Sequence, residues 1–317
     1  MAGMEPKRAV LGVDFGASNL KALLVDSDAR VYERFIEPSE PELGPEHVLK
    51  RIVALVNRAR RIASTAGLPL TDVGIGVCAP VNHSKGELVE SALLPGWRDV
   101  PVKAAVERET GLRVCLDNDA NAAILGEWWQ GAGERCAIVA GLTLGTGIGG
   151  GLIINGRVYR GGWGFGGEFG HISVASEPDC RCGGKGCLGR LASATDTLRR
   201  YYKLAGEDAV QVEGMRGLAR IAGMGDKAAQ QSIAVSADYL AKGILILVNV
   251  LNPDVFVLAG GMSLAGDMLL NPISDYIRSS TFKTLGENTR ICAARLDLYS
   301  GCYGSAWLAL SGDRSLP

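Results

Sequence analysis

The chain has 317 residues, 47% hydrophobic and 21% charged, and its 33 Lys and Arg against 34 Asp and Glu leave a net charge of -1. A chain of this length buries a large core and suits two domains, while the balanced charge supplies no basic face for a phosphate backbone and so argues against a nucleic-acid partner. The N-terminal MAGMEPKRAV has no apolar signal core, and the apolar run at 243–251 is too short to cross a bilayer, so a cytoplasmic protein without a membrane partner is expected.

In chain order, the apolar run 8–13 ends at Asp14 and Gly16, LKALLVD follows after a glycine-containing turn, and RVYERFIE completes a three-stranded meander. Val48, Ile52, Leu55, Val56, Ala59 and Ala63 recur at helical spacing over 45–66, with Pro45 in the first turn and Gly67 at the end. The strand VGIGVCAP comes next, then a helix near 102–109, the strand RVCLDN and a helix from DANAAILGEWWQGAG. Residues 141–159 then lay without gaps over 12–27 as far as Gly156, so a strand, glycine turn, strand unit occurs twice. This predicts two related lobes that each present a glycine-rich turn toward a shared cleft. A long helix over about 226–251, the strand VFVLAGG and a last helix near Gly301 complete the chain.

Turns such as DFGAS and GTGIGG let backbone N–H groups approach an anion, because glycine has no Cβ in the way. Neither has P-loop or Rossmann spacing, and each taken alone also reads as a structural hairpin. Asp14, at the end of its strand, is placed to hold Mg²⁺ through water, or to cap the turn. Gly16, Ser18 and Lys21 then line the first phosphate turn, Thr143, Gly145, Thr146 and Gly147 the second, and Gly260 and Gly261 leave bare backbone for a nucleotide. In LDNDAN, a carboxylate at a strand-to-helix junction serves either as an N-cap or as a general base aimed at a substrate hydroxyl. Finally, the segment 171–187 gathers one of three histidines and three of eight cysteines. In a reducing compartment such a cluster suits a metal better than disulfides. Cys78, Cys115, Cys136, Cys292 and Cys302 mostly sit in apolar runs and read as small core residues.

DFGASNLK, LDNDAN, LTLGTGIGGG, GEFGH and CRCGGKGC occur in the order and approximate spacing of the ROK family, which holds repressors, open reading frames and kinases within the actin and hexokinase superfamily. The sequence resembles that family over nearly its whole length. The resemblance implies an α/β, two-lobed actin-like ATPase (ribonuclease H-like) fold with a central cleft, one lobe being 1–118 plus 301–317 and the other 119–300. It implies an ATP-dependent kinase acting on the 6-hydroxyl of a hexose such as glucose, and a homodimer. Asp119 would be the catalytic base, with Asn118, Glu168 and His171 on the sugar, and His171, Cys180, Cys182 and Cys187 would hold a structural Zn²⁺ in a closed Cys₃His set.

Departures fall where the sugar should sit. Gly189 stands where the family commonly has Glu, Leu93 where it often has a sugar-binding Asn, and Cys78-Ala79 where it has Pro-Gly. Each lost partner of a hydroxyl should cost about 1 to 3 kcal/mol for a ligand that keeps that hydroxyl. Either the acceptor is a modified hexose, an amino sugar of the N-acetylmannosamine or N-acetylglucosamine type or a cyclitol, or these positions have drifted in a glucokinase. Two further readings are a DNA-binding regulator, for which the thirteen residues before Asp14 leave no room, and a non-catalytic sugar sensor, against which Asp14, Asp119 and both glycine turns argue.

Overall fold

A computed structural model describes residues 7–91, 94 and 96–312. The chain divides into two compact units, one of Met1–Glu134, Gly156–Gly166 and Leu298–Pro317, the other of Arg135–Asn155 and Gly167–Asp297.

The first unit opens with the expected meander β1 (Ala9–Phe15), β2 (Asn19–Asp26) and β3 (Val31–Pro38), followed by α1 (Pro45–Thr65) and β4 (Leu70–Val77). A small antiparallel sheet follows, made of β5 (Val81–Asn82), β6 (Glu87–Glu90) and β7 (Arg98–Val100), then α2 (Val102–Thr110), β8 (Arg113–Asn118) and α3 (Asp119–Gln130). The main sheet has the order β3-β2-β1-β4-β8, with β4 parallel to both β1 and β8. Every residue of β1 is buried, which is why it reads as a continuous apolar run rather than an alternating one. Helix α1 buries the six residues its spacing singled out.

The second unit repeats the plan with β9 (Ile138–Leu144) and β10 (Ile148–Ile154) as an antiparallel hairpin; the short β11 (Arg157–Val158) lies in the first unit's segment. Helices α4 (Gly189–Ala192), α5 (Ala194–Ala205), α6 (Gly214–Gly223) and α7 (Lys227–Leu251) precede β12 (Val255–Ala259), then α8 (Asp267–Ser280), α9 (Lys283–Asn288) and β13 (Arg290–Ala293). Strand β12 lies parallel to β9 on one side and β13 on the other. By length and composition α7 could span a membrane, unlike the nine-residue run read from the sequence, yet half of its apolar window is buried. Ala229, Ile233, Ala237, Leu240, Ile244, Leu247 and Val248 form its core stripe at helical spacing.

Helix α10 (Ser300–Ser311) returns to the first unit and lies against β1 and β4. Its backbone comes so close that a Cβ on Gly12 would stand 2.0 Å from the Cys302 carbonyl oxygen, and one on Gly74 1.7 Å from that of Ser305. Helix α3 packs on α10 in the same way, Gly126 meeting Ser300 and Gly304 meeting Ala122. This packing places α3 in the first unit, whereas the expected boundary at 118/119 would separate it. Trp128 and Trp129 of α3 both pack against Trp307 of α10 with tilted rings, their centroids 5.4 and 5.2 Å away. Cys78, Cys115 and Cys302 are buried as expected, and Cys136 and Cys292 are partly so.

Candidate functional site

In the first unit, Asp14 is the penultimate residue of β1 and is 9% exposed, facing Lys21 across the β1–β2 ladder. Lys21 Nζ donates to Asp14 Oδ2 at 2.5 Å and to the Leu298 carbonyl at 3.3 Å. Burial alone would lower the lysine's pKa, but the adjacent Asp14 charge and hydrogen bond outweigh it and the net shift is upward. Gly16 closes the turn by donating its N–H to the Asn19 carbonyl at 3.0 Å, and Ser18 is exposed at the tip.

The junction of β8 and α3 settles which residue caps the helix. Asn118 is the N-cap, its Oδ1 accepting the N–H groups of Ala120 and Asn121, while its Nδ2 donates to the Ala79 carbonyl at 3.2 Å. One amide hydrogen of Asn118 remains for a ligand hydroxyl. Asp119 is thereby released from capping: Oδ1 takes the Ala120 N–H at 2.9 Å, and among the described residues no donor reaches Oδ2. Crowding that strips water from this carboxyl, and next the negative charge of Asp14, push its pKa up to about 7 against the smaller opposing pull of the Ala120 N–H and Lys21. A carboxylate poised there is matched to taking a proton near neutral pH. Ala79 is buried, and Leu93 lies outside the described residues.

Behind this junction is an ion pair that sequence reasoning missed. Asp117 is fully buried, and Arg160 reaches its Oδ2 through Nε at 2.9 Å and a terminal nitrogen at 2.5 Å. Oδ1 of Asp117 accepts the Asn118 N–H at 2.7 Å and Asn121 Nδ2 at 3.0 Å. Arg160 therefore neutralises the carboxylate that holds the capping residue in place. It is a positioning residue, separated from Asp117 by 43 positions, and no local pattern marks it.

In the second unit, the β9–β10 turn carries Gly145, Thr146 and Gly147, with Thr143 on β9 just before it. A Cβ on Gly147 would meet nothing within 4 Å and one on Gly145 only an oxygen at 4.0 Å, so internal packing gives no reason for glycine here, whereas close approach of a ligand does. The α5 start braces the turn: the Ala194 N–H donates to the Gly145 carbonyl and Thr195 Oγ1 to that of Thr146. Gly260, at φ +91°, packs against the Leu144 carbonyl, which sets the Gly260-Gly261 turn beside it.

Gly170 packs on Ile148 of β10, so Glu168 and His171 sit next to the same hairpin. Gly189 is there too, its absent Cβ 3.3 Å from the Gly170 carbonyl oxygen. Ligand atoms of His171, Cys180, Cys182 and Cys187 all lie within 4.8 Å of one another. Cys182 Sγ is 3.6 Å from Cys187 Sγ, and Cys180 Sγ is 3.6 Å from His171 Nδ1. These separations fit a tetrahedral set at Zn–S and Zn–N lengths of about 2.3 and 2.0 Å. The Gly184 N–H, and then the neighbouring thiols, pull Cys182 down to about 7, while burial pushes Cys187 up to about 12. With Nδ1 turned toward the cysteines, His171 Nε2 points toward Glu168 Oε2, 3.9 Å away.

Two sheets of one plan, each opening with a hairpin around a glycine turn and continuing into parallel strands, define an α/β fold of the actin-like ATPase and hexokinase class. Residues 10–311 match the ROK family model, and the chain belongs to the ROK family. It is 32% identical to a glucokinase of Thermotoga maritima over 95% of this chain and 97% of that one. The structure of a Streptomyces griseus ROK family glucokinase in complex with glucose and AMPPNP superimposes with a TM-score of 0.82 at 30% identity, covering 96% of this chain and 100% of that chain. A putative xylose repressor of Caldicellulosiruptor is 29% identical over 97% of this chain and 79% of its own.

Proposed function

We propose that this ATP-dependent sugar kinase works in the cytoplasm and transfers the γ-phosphoryl group of ATP to the 6-hydroxyl of a hexose or hexose-like acceptor. The observation that carries the reading is Asp119, freed from capping by Asn118 and held near neutral pKa. As the acceptor oxygen bonds to phosphorus and the bond to the ADP oxygen breaks, the hydroxyl proton passes to Asp119 Oδ2. Asn118 offers its remaining amide hydrogen to the acceptor, and Glu168 and His171 Nε2 offer further polar contacts. Lys21 and both glycine turns supply a cation and backbone N–H groups for the phosphates.

Asp14 keeps one carboxylate oxygen clear of Lys21, which fits a hydrated Mg²⁺; the ion when bound would neutralise phosphate charge. The Cys₃His set fits Zn²⁺ in a structural role, fixing the His171 ring so that only Nε2 faces outward. Metal analysis of the purified protein should find one zinc per chain, lost in Cys182→Ser together with acceptor affinity. Zinc-free protein with full activity and unchanged melting would contradict the site.

Position 189, read here as part of the acceptor site, carries no carboxylate, and a Cβ there comes close only to the Gly170 carbonyl. Gly189 has no positive φ, and its Cβ would ask only a small shift of the Gly170 carbonyl. Gly189→Glu should raise kcat/KM on glucose by about 5- to 100-fold, the range a hydroxyl's hydrogen bond provides. If turnover of the preferred acceptor is unharmed, position 189 has drifted in a glucokinase; if it falls, Gly189 selects a modified hexose, an amino sugar or a cyclitol. No gain on glucose would remove position 189 from the acceptor site.

A further inference from the structure

The first unit contains a cavity of about 610 Å³ that the chemistry above does not use, lined by the β5–β6 hairpin on one side and by the loop after β11 on the other. Its volume lies within the range of small-molecule sites, about 300 to 1,000 Å³. Two aromatic rings stand in it with little else to pack on: Trp163 is 92% exposed and Phe165 is 50% exposed. A large indole left in water is informative where an isolated exposed leucine is not. The loop that carries it is nevertheless fixed, since the Gly166 N–H donates to the Arg160 carbonyl at 2.7 Å and Gly164 lies against His83 and Val81.

The rest of the lining mixes Val81, Val89 and bare glycine backbone with a few polar side chains and one committed cation. Asn82 and Ser84 bond to each other at 2.8 Å, leaving Asn82 Nδ2 directed at no described residue, and His83 joins them. Arg160 closes the inner end, but its charge is spent on Asp117. No carboxylate lines the cavity, so nothing there selects an ionic ligand. An aromatic face beside a small set of hydrogen-bonding side chains matches a pyranose ring, whose C–H face stacks on indole while its hydroxyls turn to polar partners.

Two residues that line the cavity, Arg160 and His83, reach the ion pair behind the candidate base. Arg160 touches Asp117, two residues before Asp119, His83 Nε2 is 4.0 Å from Asp117 Oδ1, and Asn118 bonds Ala79 just before β5. We propose that this cavity is a subsite for a second sugar ring, so that the preferred acceptor is a glycoside or disaccharide whose outer ring stacks on Trp163. The proposal rests on the kinase reading above.

The test measures ADP release with glucose, mannose and galactose beside maltose, cellobiose, gentiobiose and trehalose, for the wild-type protein, Trp163→Ala and Trp163→Phe. Expected is a kcat/KM at least about tenfold higher for one disaccharide than for its free hexose. Trp163→Ala should abolish that preference while leaving the free hexose within about twofold, and Trp163→Phe should retain most of it. A preference absent in the wild type, or unchanged in Trp163→Ala, overturns the subsite. A drop in oligomeric mass in Trp163→Ala without any change in acceptor preference also overturns it and assigns the rings to a second copy of the chain. If no sugar in either set is phosphorylated the subsite is overturned, and if N-acetylated hexosamines, amino sugars and cyclitols fail as well, it is the kinase reading that has failed with it.

Discussion

Replacing Asp119 with Asn is expected to lower the rate of phosphoryl transfer by about 10² to 10⁴-fold while sparing ATP binding, because the amide keeps the shape of the carboxylate and loses only its basicity. The same group sets the pH dependence. Asp119 accepts a proton only when ionised, and crowding plus the Asp14 charge hold its pKa near 7. The wild-type kcat/KM should therefore rise tenfold per pH unit up to about 7 and level off above it. Stability runs the other way: a folded pKa above the ordinary 3.8 means that the folded state holds the proton more tightly. The resulting stability is complete below pH 4 and is lost between about 4 and 7. Asp119→Asn should then raise the melting temperature most at pH 8 and least near pH 4. A variant that is inactive and more stable at pH 8 fits a base held at a cost to folding. One that is inactive and equally destabilised at every pH would point to a structural lesion.

Arg160→Met is expected to cost about 3 to 5 kcal/mol in equilibrium denaturation, since it leaves a fully buried carboxylate without its cation. The loss extends to catalysis. Asp117 holds Asn118 and Asn121 through hydrogen bonds, and those residues fix the start of α3. A shift there of about 1 Å is enough to lower kcat by about 10²-fold. Adding Asp117→Asn to Arg160→Met removes the stranded charge and should recover more than half of the lost stability, an interaction read directly from the double-mutant cycle. A single variant within about 1 kcal/mol of wild type would show that the pair is dispensable.

The two glycine hairpins were legible in the sequence because β1–β2 and β9–β10 share a local pattern, apolar runs joined by a short glycine turn. Helix α1 was legible for a similar reason, six apolar residues at helical spacing. The cap of α3 was not. Asn and Asp cap helices about equally well, so LDNDAN leaves Asp117, Asn118 and Asp119 open at the junction, and only the side-chain geometry selects Asn118 and releases Asp119. The small sheet β5–β7 has strands of two to four residues, too short for alternation to show. Arg160 and His83 come to Asp117 from distant positions by way of the fold, and a single sequence holds no trace of such pairings. The Cys₃His set was visible because its ligands cluster within seventeen residues, although its membership rested on resemblance; the structure places all four ligand atoms together.

The most direct test is ADP release dependent on ATP and Mg²⁺ across glucose, mannose, fructose, N-acetylated hexosamines, amino sugars, cyclitols and disaccharides, with Asp119→Asn as the blank. Saturable turnover is expected with at least one of these acceptors, lost in Asp119→Asn. ADP release that no acceptor stimulates, or that Asp119→Asn retains in full, would contradict it.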